Sequence, residues 1–259
     1  MKFIRHSSVL FAALAVAAIT VSLAVRAQAQ TETVLYSLSG GTDGNGPITG
    51  LVADSAGNLY GVTASEGQTT GNCSNNQGCG VVFELSPNGT GGWTETVLYT
   101  FTGGTDGAFP ATTLLLDASG NLYGTAYAGG NVTNKDCSPY GCGVVFELSP
   151  SSSGWTETVL YSFHFADGDR PSSLIRDAAG NFYGVTYQGG TPNLGRVFEL
   201  SPGSGGTWTE TIPHSFSGPP SDGENPDFGT LLIDADGNLY GTTANGGASK
   251  TGLAYEITP

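Results

Sequence analysis

The sequence repeats itself four times after about residue 30, and this self-similarity constrains the fold more than any other feature. The tripeptide Thr-Glu-Thr marks the repeats, which cover 31–93, 94–155, 156–208 and 209–259. Each copy has the same landmarks: an alternating apolar run, Asp-Gly followed by Pro, Gly-Asn-Leu/Phe-Tyr-Gly, and a relative of Val-Val-Phe-Glu-Leu-Ser-Pro. Such a repeat is one structural unit that buries its apolar faces against its neighbours.

Each repeat is predicted to form four short β-strands. Val, Tyr, Phe and Thr alternate with polar residues, and Gly, Pro, Asn and Asp stand at the boundaries, as is typical of strands. The Asp-x-x-Gly-Asn segment predicts a tight hairpin. The composition of 41 Gly, 13 Pro and only 12% charged residues disfavours a helical bundle. We therefore predict an all-β fold, a β-propeller of four four-stranded blades.

The ends of the repeats predict the order of the strands in each blade. The run before the hairpin is innermost, the Thr-Glu-Thr run is outermost, and the blades cover roughly 47–101, 110–163, 171–216 and 226–259. In this order Thr31–Leu38 is an outer strand without a blade, and the last blade lacks its outer strand. We predict that Thr31–Leu38 pairs with Gly252–Thr258 and closes the ring. A homodimer, in which two chains pair into a larger ring, is the alternative to a monomer.

Residues 1–29 are predicted to be a secretory signal peptide. Lys2 and Arg5 precede an apolar run, and Ala27-Gln28-Ala29 has the small-x-small pattern of a signal-peptidase site. An uncleaved membrane anchor is the alternative. Cleavage after Ala29 leaves 5 basic and 22 acidic residues, a net charge of −17, which disfavours nucleic acid and anionic membranes as partners. Residues 30–259 are then a single repeat domain, secreted to the periplasm or the exterior and not inserted in a membrane.

The repeated motifs resemble a known family. Asp-x-x-Gly-Asn-Leu-Tyr-Gly, Gly-Val-Val-Phe-Glu-Leu-Ser-Pro and Thr-Glu-Thr-Val-Leu-Tyr-Ser-Phe are similar to the GloVer tandem repeat of bacterial secreted "choice-of-anchor" proteins. The resemblance covers 31–259 in four copies. It implies a secreted repeat protein, and it transfers no catalytic residues because the family has no defined activity.

The four cysteines lie in two long loops of the first two repeats. These loops, 64–79 and 127–142, have 16 residues each, whereas their counterparts in the last two repeats have 8. In an oxidising compartment the cysteines predict two local disulfides, Cys73–Cys79 and Cys137–Cys142. A four-cysteine zinc site is the alternative, but one of the two spacings is too wide for it. We expect the bridges to order the loops and to make them candidate ligand-binding elements.

Most acidic residues occur at the same position in every repeat, which favours a role in folding the blades. Two such sets are Asp54, Asp117, Asp177 and Asp234 in a turn, and Glu84, Glu147, Glu199 and Glu256 in a strand. His214 takes a strand position that is Tyr in the other copies, which predicts a packing role. The sequence has no nucleophile-elbow pattern, so we predict no catalytic residue, no metal and no cofactor.

The candidate ligand-binding face collects the links between blades and the two cysteine loops. Its candidate residues are four aspartates and four aromatic residues: Asp43, Asp106, Asp167, Asp222, Phe109, Tyr127, Tyr140 and Tyr187. Acidic and aromatic groups around a propeller mouth suit sugar stacking or cation capture. The alternative is that the four aspartates only cap tight turns. In the least regular link, we interpret Asp169 and Arg170 as an exposed local ion pair.

The function predicted from these features is a secreted, non-catalytic propeller that acts as a binding or scaffold module. Its partner would be an extracellular carbohydrate or a protein. An extracellular carbohydrate-active hydrolase or lyase, using paired carboxylates on the same face, is the first alternative. A purely structural role in an envelope or matrix is the second.

Overall fold

The computed structural model describes residues 31–73, 77–133, 135–137, 140–226 and 230–259. The predicted signal peptide and its cleavage site lie outside these residues. The chain divides into a unit that ends at Val34 and a unit that spans Leu35–Pro259. In the first unit, the described residues 31–34 are exposed and are not part of a strand. The strands therefore belong to the second unit.

Among the described residues, the second unit is built from five antiparallel sheets: one sheet in each of the first three blades, and two small sheets in the fourth. The first sheet comprises β1 (Val52–Ala53), β2 (Leu59–Thr63), β3 (Val81–Pro87) and β4 (Trp93–Thr100). The second sheet comprises β5 (Ala108–Pro110), β6 (Leu115–Leu116), β7 (Leu122–Ala128), β8 (Val144–Ser151) and β9 (Gly154–Ser162). We call these two sheets blade one and blade two.

Blades three and four follow the same plan. Blade three comprises β10 (Asp169–Pro171), β11 (Ile175–Arg176), β12 (Phe182–Gln188), β13 (Arg196–Pro202) and β14 (Trp208–Ser215). Blade four comprises β15 (Gly223–Glu224), β16 (Leu232–Ile233), β17 (Leu239–Thr243), β18 (Asn245–Gly246) and β19 (Leu253–Ile257). The two small sheets of blade four are β15-β18 and β16-β17-β19. The described part of the chain also has three short 3-10 helices in loops, at Gly71–Cys73, Lys135–Cys137 and Ser204–Gly206.

The predicted strand order within a blade is confirmed. In blade two, β6 pairs with β7, β7 with β8 and β8 with the outer Thr-Glu-Thr strand β9. Three further short strands were not predicted: β5 and β10, which pair with the C-terminal ends of β7 and β12, and β15, which pairs with β18. They lie in the Gly-x-x-Pro links. Gly and Pro indicate a turn there, so the sequence gives no sign that two or three residues of each link form a strand.

The hairpin motif has a direct physical explanation in blade two. The Asp117 carboxylate accepts backbone N–H groups of Ser119 and Asn121 at 2.8 and 2.9 Å, and Gly120 adopts a φ of 86°. The next glycine, Gly124, faces the Phe146 ring so closely that a Cβ would lie 2.7 Å from its Cζ. The first glycine therefore permits the turn, and the second makes room for the aromatic ring.

Consecutive blades pack through a ladder of buried aromatic rings. The phenylalanine that follows each outer strand, Phe101, Phe163 or Phe216, is fully buried. Each contacts a ring of the next blade edge to face, with centroids 5.0 to 5.2 Å apart; the partners are Phe146, Phe198 and Tyr255. Because such pairs add to the free energy gained by burial, they hold the sheets face to face like propeller blades.

Among the described residues, blade four has no outer strand like those of the other three blades. The edge strand β19 pairs with β17, and residues 35–38 are not part of a strand. The predicted pairing of Thr31–Leu38 with Gly252–Thr258 is not among the strand pairings of the described residues, and closure of the ring stays a prediction. Leu35 instead packs against Val81, Phe83 and Leu85 of blade one. Leu98, the residue at the same repeat position in the outer strand of blade one, packs in the same way against a buried cluster that includes residues of blade two.

Candidate functional site

The four aspartates of the Asp-Gly pairs cap turns in the structure. Asp106 is buried and accepts the Tyr99 hydroxyl at 3.0 Å, the Thr102 backbone N–H and hydroxyl at 2.8 and 2.6 Å, and the Gly104 N–H at 3.1 Å. Asp43 accepts the equivalent four donors, and Asp167 accepts a tyrosine hydroxyl and a backbone N–H. The carboxylates are therefore hydrogen-bonded to groups of their own blade. Whether these aspartates also bind a ligand stays a prediction.

Hydrogen bonds hold two of these carboxylates in the charged form. The Ser39 hydroxyl and backbone N–H lower the pKa of Asp43 to about 2. Burial alone would raise the pKa of Asp222, but hydrogen bonds from Ser217 and Gly223 outweigh it and lower the value. His214 lies 3.2 Å from Asp222 and packs edge to face on Phe216, so it takes the place of the repeat tyrosine, as predicted.

The two disulfides are the predicted pairs, Cys73–Cys79 and Cys137–Cys142. The backbone carbonyl of the second cysteine in each pair accepts a backbone N–H from the start of the next blade. The Cys79 carbonyl accepts the N–H of Phe109 at 2.9 Å, and the Cys142 carbonyl accepts the N–H of Arg170 at 3.0 Å. The disulfide loops therefore meet the links between blades, as the predicted face requires.

The residues held by these carbonyls have an unusual backbone conformation. Phe109 and Arg170 have φ values of 57° and 64°, and Asn225, at the same position in blade four, has a φ of 54°. The equivalent residue of blade one is Gly46, which adopts such angles without strain. Three blades thus keep a side chain where glycine would be easier, at a cost of about 1 kcal/mol or more each. Strain of this kind is common at functional sites.

Phe109 lines two neighbouring cavities, and Arg170 lines the larger of them; we call the two cavities together the loop groove. The larger, about 590 Å³, lies between blades two and three and is lined by Gln77, Phe109, Tyr127, Ala128, Asp136, Cys137, Tyr140, Gly141, Phe165, Asp169, Arg170, Gln188 and Asn193. The smaller, about 260 Å³, lies beside the Cys73–Cys79 bridge. Gln77, Phe109 and Tyr140 line both cavities, so the two are adjacent.

The structure brings together some of the predicted aromatic candidates and separates one. Tyr127 and Tyr140 line the loop groove, and half of the Tyr140 side chain is exposed. Tyr187 occupies the position of Tyr127 in the next blade, where its carbonyl accepts the Asn225 side-chain amide at 3.1 Å. It is outside the lining of the loop groove, and its role in ligand binding stays a prediction.

The interpretation of Asp169 and Arg170 as an exposed pair is wrong for Asp169. Only 7% of Asp169 is exposed, and burial raises the pKa of its carboxyl to about 6 although Arg170 opposes the shift. The Arg170 Nε lies 3.6 Å from Asp169 Oδ2, and its guanidinium lies 5.4 Å from the centre of the Tyr127 ring. The sequence does single out this link, because it is the least regular of the four. The burial of Asp169, however, depends on how the link packs against blade two, which the sequence does not show.

No group of three or more His, Cys, Asp or Glu side chains within the described ranges is arranged to hold a metal ion. The same part of the chain has no helix that is long and apolar enough to cross a membrane.

Two glutamates of the outer strands give the fold a dependence on pH. Glu157 in β9 and Glu210 in β14 each have one buried carboxylate oxygen without a hydrogen-bond partner among the described residues. Burial raises the pKa of both to about 7, and the negative charges of Asp106 and Asp167 add to the shift. The folded protein therefore keeps these protons up to about pH 7, whereas the unfolded chain releases them near the ordinary value of 4.5.

Replacing both residues with glutamine is expected to stabilise the protein above pH 7. In the parent, stability falls as the pH rises from about 4.5 to about 7, because the folded state binds more protons than the unfolded state over this range. The gain should be about 1 kcal/mol for each site, since partial access to water weakens the effect. Thermal melts at pH 5 and pH 8 measure it for E157Q/E210Q. A double variant with the parental pH dependence would contradict this, and D236N is the exposed control.

The four consecutive blades of antiparallel strands define an all-β protein of the β-propeller-like repeat class. Residues 132–259 match the Gloeobacter/Verrucomicrobia repeat, so the chain carries repeats of this kind. No curated protein is significantly similar to the chain in sequence.

Several solved structures resemble the fold at low sequence identity. A gluconolactonase from Xanthomonas campestris has 14% identity and a TM-score of 0.45, over 81% of this chain and 56% of that one. A protein of unknown function from Dyadobacter fermentans has 12% identity and a TM-score of 0.46, over 74% and 60%. An arabinoxylan arabinofuranohydrolase from Bacillus subtilis has 16% identity and a TM-score of 0.45, over 80% and 46%. The chain spans less than two thirds of the length of each.

Proposed function

We propose that this protein is a secreted binding module that holds carbohydrate in the loop groove without catalysing a reaction on it. The observation that supports this function is the lining of the groove. Aromatic rings of Phe109, Tyr127, Tyr140 and Phe165 stand beside amide side chains and a buried carboxylate. Aromatic faces pack on the apolar faces of sugar rings, and the polar groups bind the hydroxyls.

Secretion is part of the proposal. Both cysteine pairs are bridged, and disulfides persist in oxidising compartments such as the periplasm and the cell exterior. The predicted signal peptide supplies the route. Disulfides also order the two loops before a ligand arrives, which reduces the entropy lost on binding.

One observation favours a second candidate function, a carbohydrate-active hydrolase. Asp169 and Asp136 line the same cavity, and the pKa of Asp169 is raised to about 6 by burial, as suits a general acid. A hydrolase would release reducing ends from a bound polysaccharide, and D169N would abolish the release. Bound glycan recovered intact after long incubation would support the non-catalytic module.

Replacing Tyr127 or Tyr140 with alanine is expected to weaken glycan binding at least about tenfold, because each ring offers a stacking surface in the groove. A glycan array identifies the ligand, and calorimetry measures the affinity. The matched control is Y187A, which removes the tyrosine at the same strand position in the next blade, outside the groove. The proposal fails if no glycan binds, or if Y187A weakens binding as much as Y127A does.

We also propose that four blades close into a ring with Thr31–Leu38 as the outer strand of blade four. Leu35 already packs on blade one, and the Tyr36 hydroxyl bonds to Asp43 as Tyr99 bonds to Asp106. Leu51 is 46% exposed, whereas its counterparts in the other blades, Leu114, Leu174 and Leu231, are at most 5% exposed. Leu232 in blade four is 64% exposed. Closure would cover both apolar faces.

A further inference from the structure

We infer that the loop groove selects a neutral oligosaccharide, and that Asp169 and Arg170 together bind two adjacent hydroxyls of one sugar. This inference rests on the proposed function and narrows it to one class of ligand. It depends on four observations: the pair occurs in one blade only, the buried Asp169 lines the groove, Arg170 is fixed beside it, and the described lining residues carry more negative than positive charge.

The pair occurs in a single blade, although its backbone position occurs in all four. The position of Asp169 holds Asn45, Ala108 and Glu224 in the other blades, and that of Arg170 holds Gly46, Phe109 and Asn225. Carboxylates that build the blades recur in every copy, as the turn aspartates show. Blade four also has an acid here, Glu224, but it is only half-buried, and blades one and two have none, so the fold does not require a buried carboxylate at this position. Its presence points to a ligand.

The Asp169 carboxylate is buried, and the groups that favour its charged form are the guanidinium and the backbone N–H of Arg170. The nearest charged group, Arg170 Nε, is 3.6 Å away, which is beyond hydrogen-bond length. Nine-tenths of the Asp169 side chain is covered, and the carboxylate lines the larger cavity of the groove. Buried polar groups are almost always hydrogen-bonded, because an unpaired one costs free energy. Ligand hydroxyls in the cavity would supply further donors.

Arg170 presents the complementary donors at a fixed position. The Cys142 carbonyl holds its backbone N–H, and the Tyr127 ring lies under its guanidinium. A guanidinium donates and a carboxylate accepts, so the two side chains offer one acceptor and one rigid set of donors side by side. A pair of neighbouring sugar hydroxyls matches this arrangement, because each hydroxyl can both donate and accept.

The charges of the groove disfavour acidic sugars. Among the described lining residues, Asp136 and Asp169 are acidic and Arg170 is basic. A uronate or sulfated sugar would bring a further negative charge next to Asp169, and like charges in a desolvated site are costly. The whole chain adds to this repulsion, with a net charge of −14. A neutral sugar avoids both penalties.

The length of the groove favours a chain of sugars over a single one. The larger cavity, about 590 Å³, lies in the size range of sites that hold ligands larger than one sugar ring. A second cavity of about 260 Å³ adjoins it at Phe109 and Tyr140. We therefore expect affinity to rise from the monosaccharide to the oligosaccharide.

The test compares neutral and acidic oligosaccharides of equal length on the full-length mature protein. The probes are cello-, xylo- and manno-hexaose and the hexamer of galacturonic acid, titrated by calorimetry at pH 7.5. We expect at least one neutral hexamer to bind at least tenfold more tightly than the acidic hexamer and than its own monosaccharide. Equal or tighter binding of the acidic hexamer would overturn the inference and leave the proposed carbohydrate function standing. Binding of neither class would overturn both.

Variants of the pair complete the test. D169N should weaken binding of the neutral hexamer at least tenfold and reduce the difference between neutral and acidic probes, because it removes the acceptor and the charge. R170K should weaken binding about tenfold, since an ammonium cannot reproduce the planar donor set. E224Q, at the same position in blade four, is the matched control and should bind as the parent does. Melting curves establish that each variant is folded. A folded D169N with parental affinity and selectivity would overturn the inference.

Discussion

Deletion of Thr31–Leu38 is expected to lower the melting temperature by about 10 °C or more. The deletion removes Leu35 from the cluster formed with Val81, Phe83 and Leu85, and losing one such leucine costs about 2–5 kcal/mol. If this segment completes blade four, the deletion also exposes the β19 edge and the faces that the closed ring would cover. For a chain of this length, 1 kcal/mol corresponds to about 2–4 °C.

The control for this deletion is V34A, since the Val34 side chain is 69% exposed and its truncation should change stability by less than about 0.5 kcal/mol. Hydrogen exchange then tests the pairing itself. The β19 amides that point away from β17 should be protected in the parent and exposed in the deletion variant. Light scattering separates closure within one chain, a monomer, from closure between two copies, a homodimer. A truncated protein that melts at the parental temperature would refute the closed ring.

The sequence predicts the parts of the fold that depend on patterns over a few neighbouring residues. Alternation over a few residues gives each strand, the Asp-x-x-Gly-Asn turn gives each hairpin, and four copies give the order of the strands. The two disulfides are also local, because 6 and 5 residues separate the bridged cysteines. Each of these features is determined mainly within one repeat, so one sequence is enough to predict it.

The features that escaped prediction depend on contacts between repeats. Asp169 looks exposed in the sequence because a charged pair in a Gly- and Pro-rich link is usually solvated. It is buried because the link lies against the Cys137–Cys142 loop of the preceding blade, whose Cys142 carbonyl holds Arg170. The positive φ of Phe109 also depends on the preceding blade, because the Cys79 carbonyl holds the Phe109 N–H. Residue type alone gives little signal for this conformation, since Phe and Arg rarely adopt it.

The loop groove is therefore only partly visible in the sequence. Tyr127 and Tyr140 could be chosen because they lie in or beside long cysteine loops, which often carry function on a rigid scaffold. Asp169, Gln188 and Phe165 belong to blade three and reach the groove only when two blades pack side by side. A useful signal was nevertheless present. Comparing the four repeats position by position isolates Asp169 and Arg170 as residues that the fold itself does not demand.

Replacement of Asp106 with alanine distinguishes the two interpretations of the repeated aspartates. In the parent, the Asp106 carboxylate accepts hydrogen bonds from the Tyr99 hydroxyl, the Thr102 N–H and hydroxyl, and the Gly104 N–H. If Asp106 caps its turn, D106A leaves these four donors without their acceptor.

We expect D106A to lose about 3 kcal/mol of stability, because buried groups without partners cost about 1–3 kcal/mol each and some of these will find water. The melting temperature should fall by about 6–12 °C. The affinity of the folded variant for an oligosaccharide should stay at the parental value, since Asp106 is outside the lining of the groove. D236A is the control, because Asp236 is exposed and its truncation should be nearly neutral. A D106A protein with parental stability and weakened glycan binding would instead establish Asp106 as a ligand-binding residue and move the site to the turns.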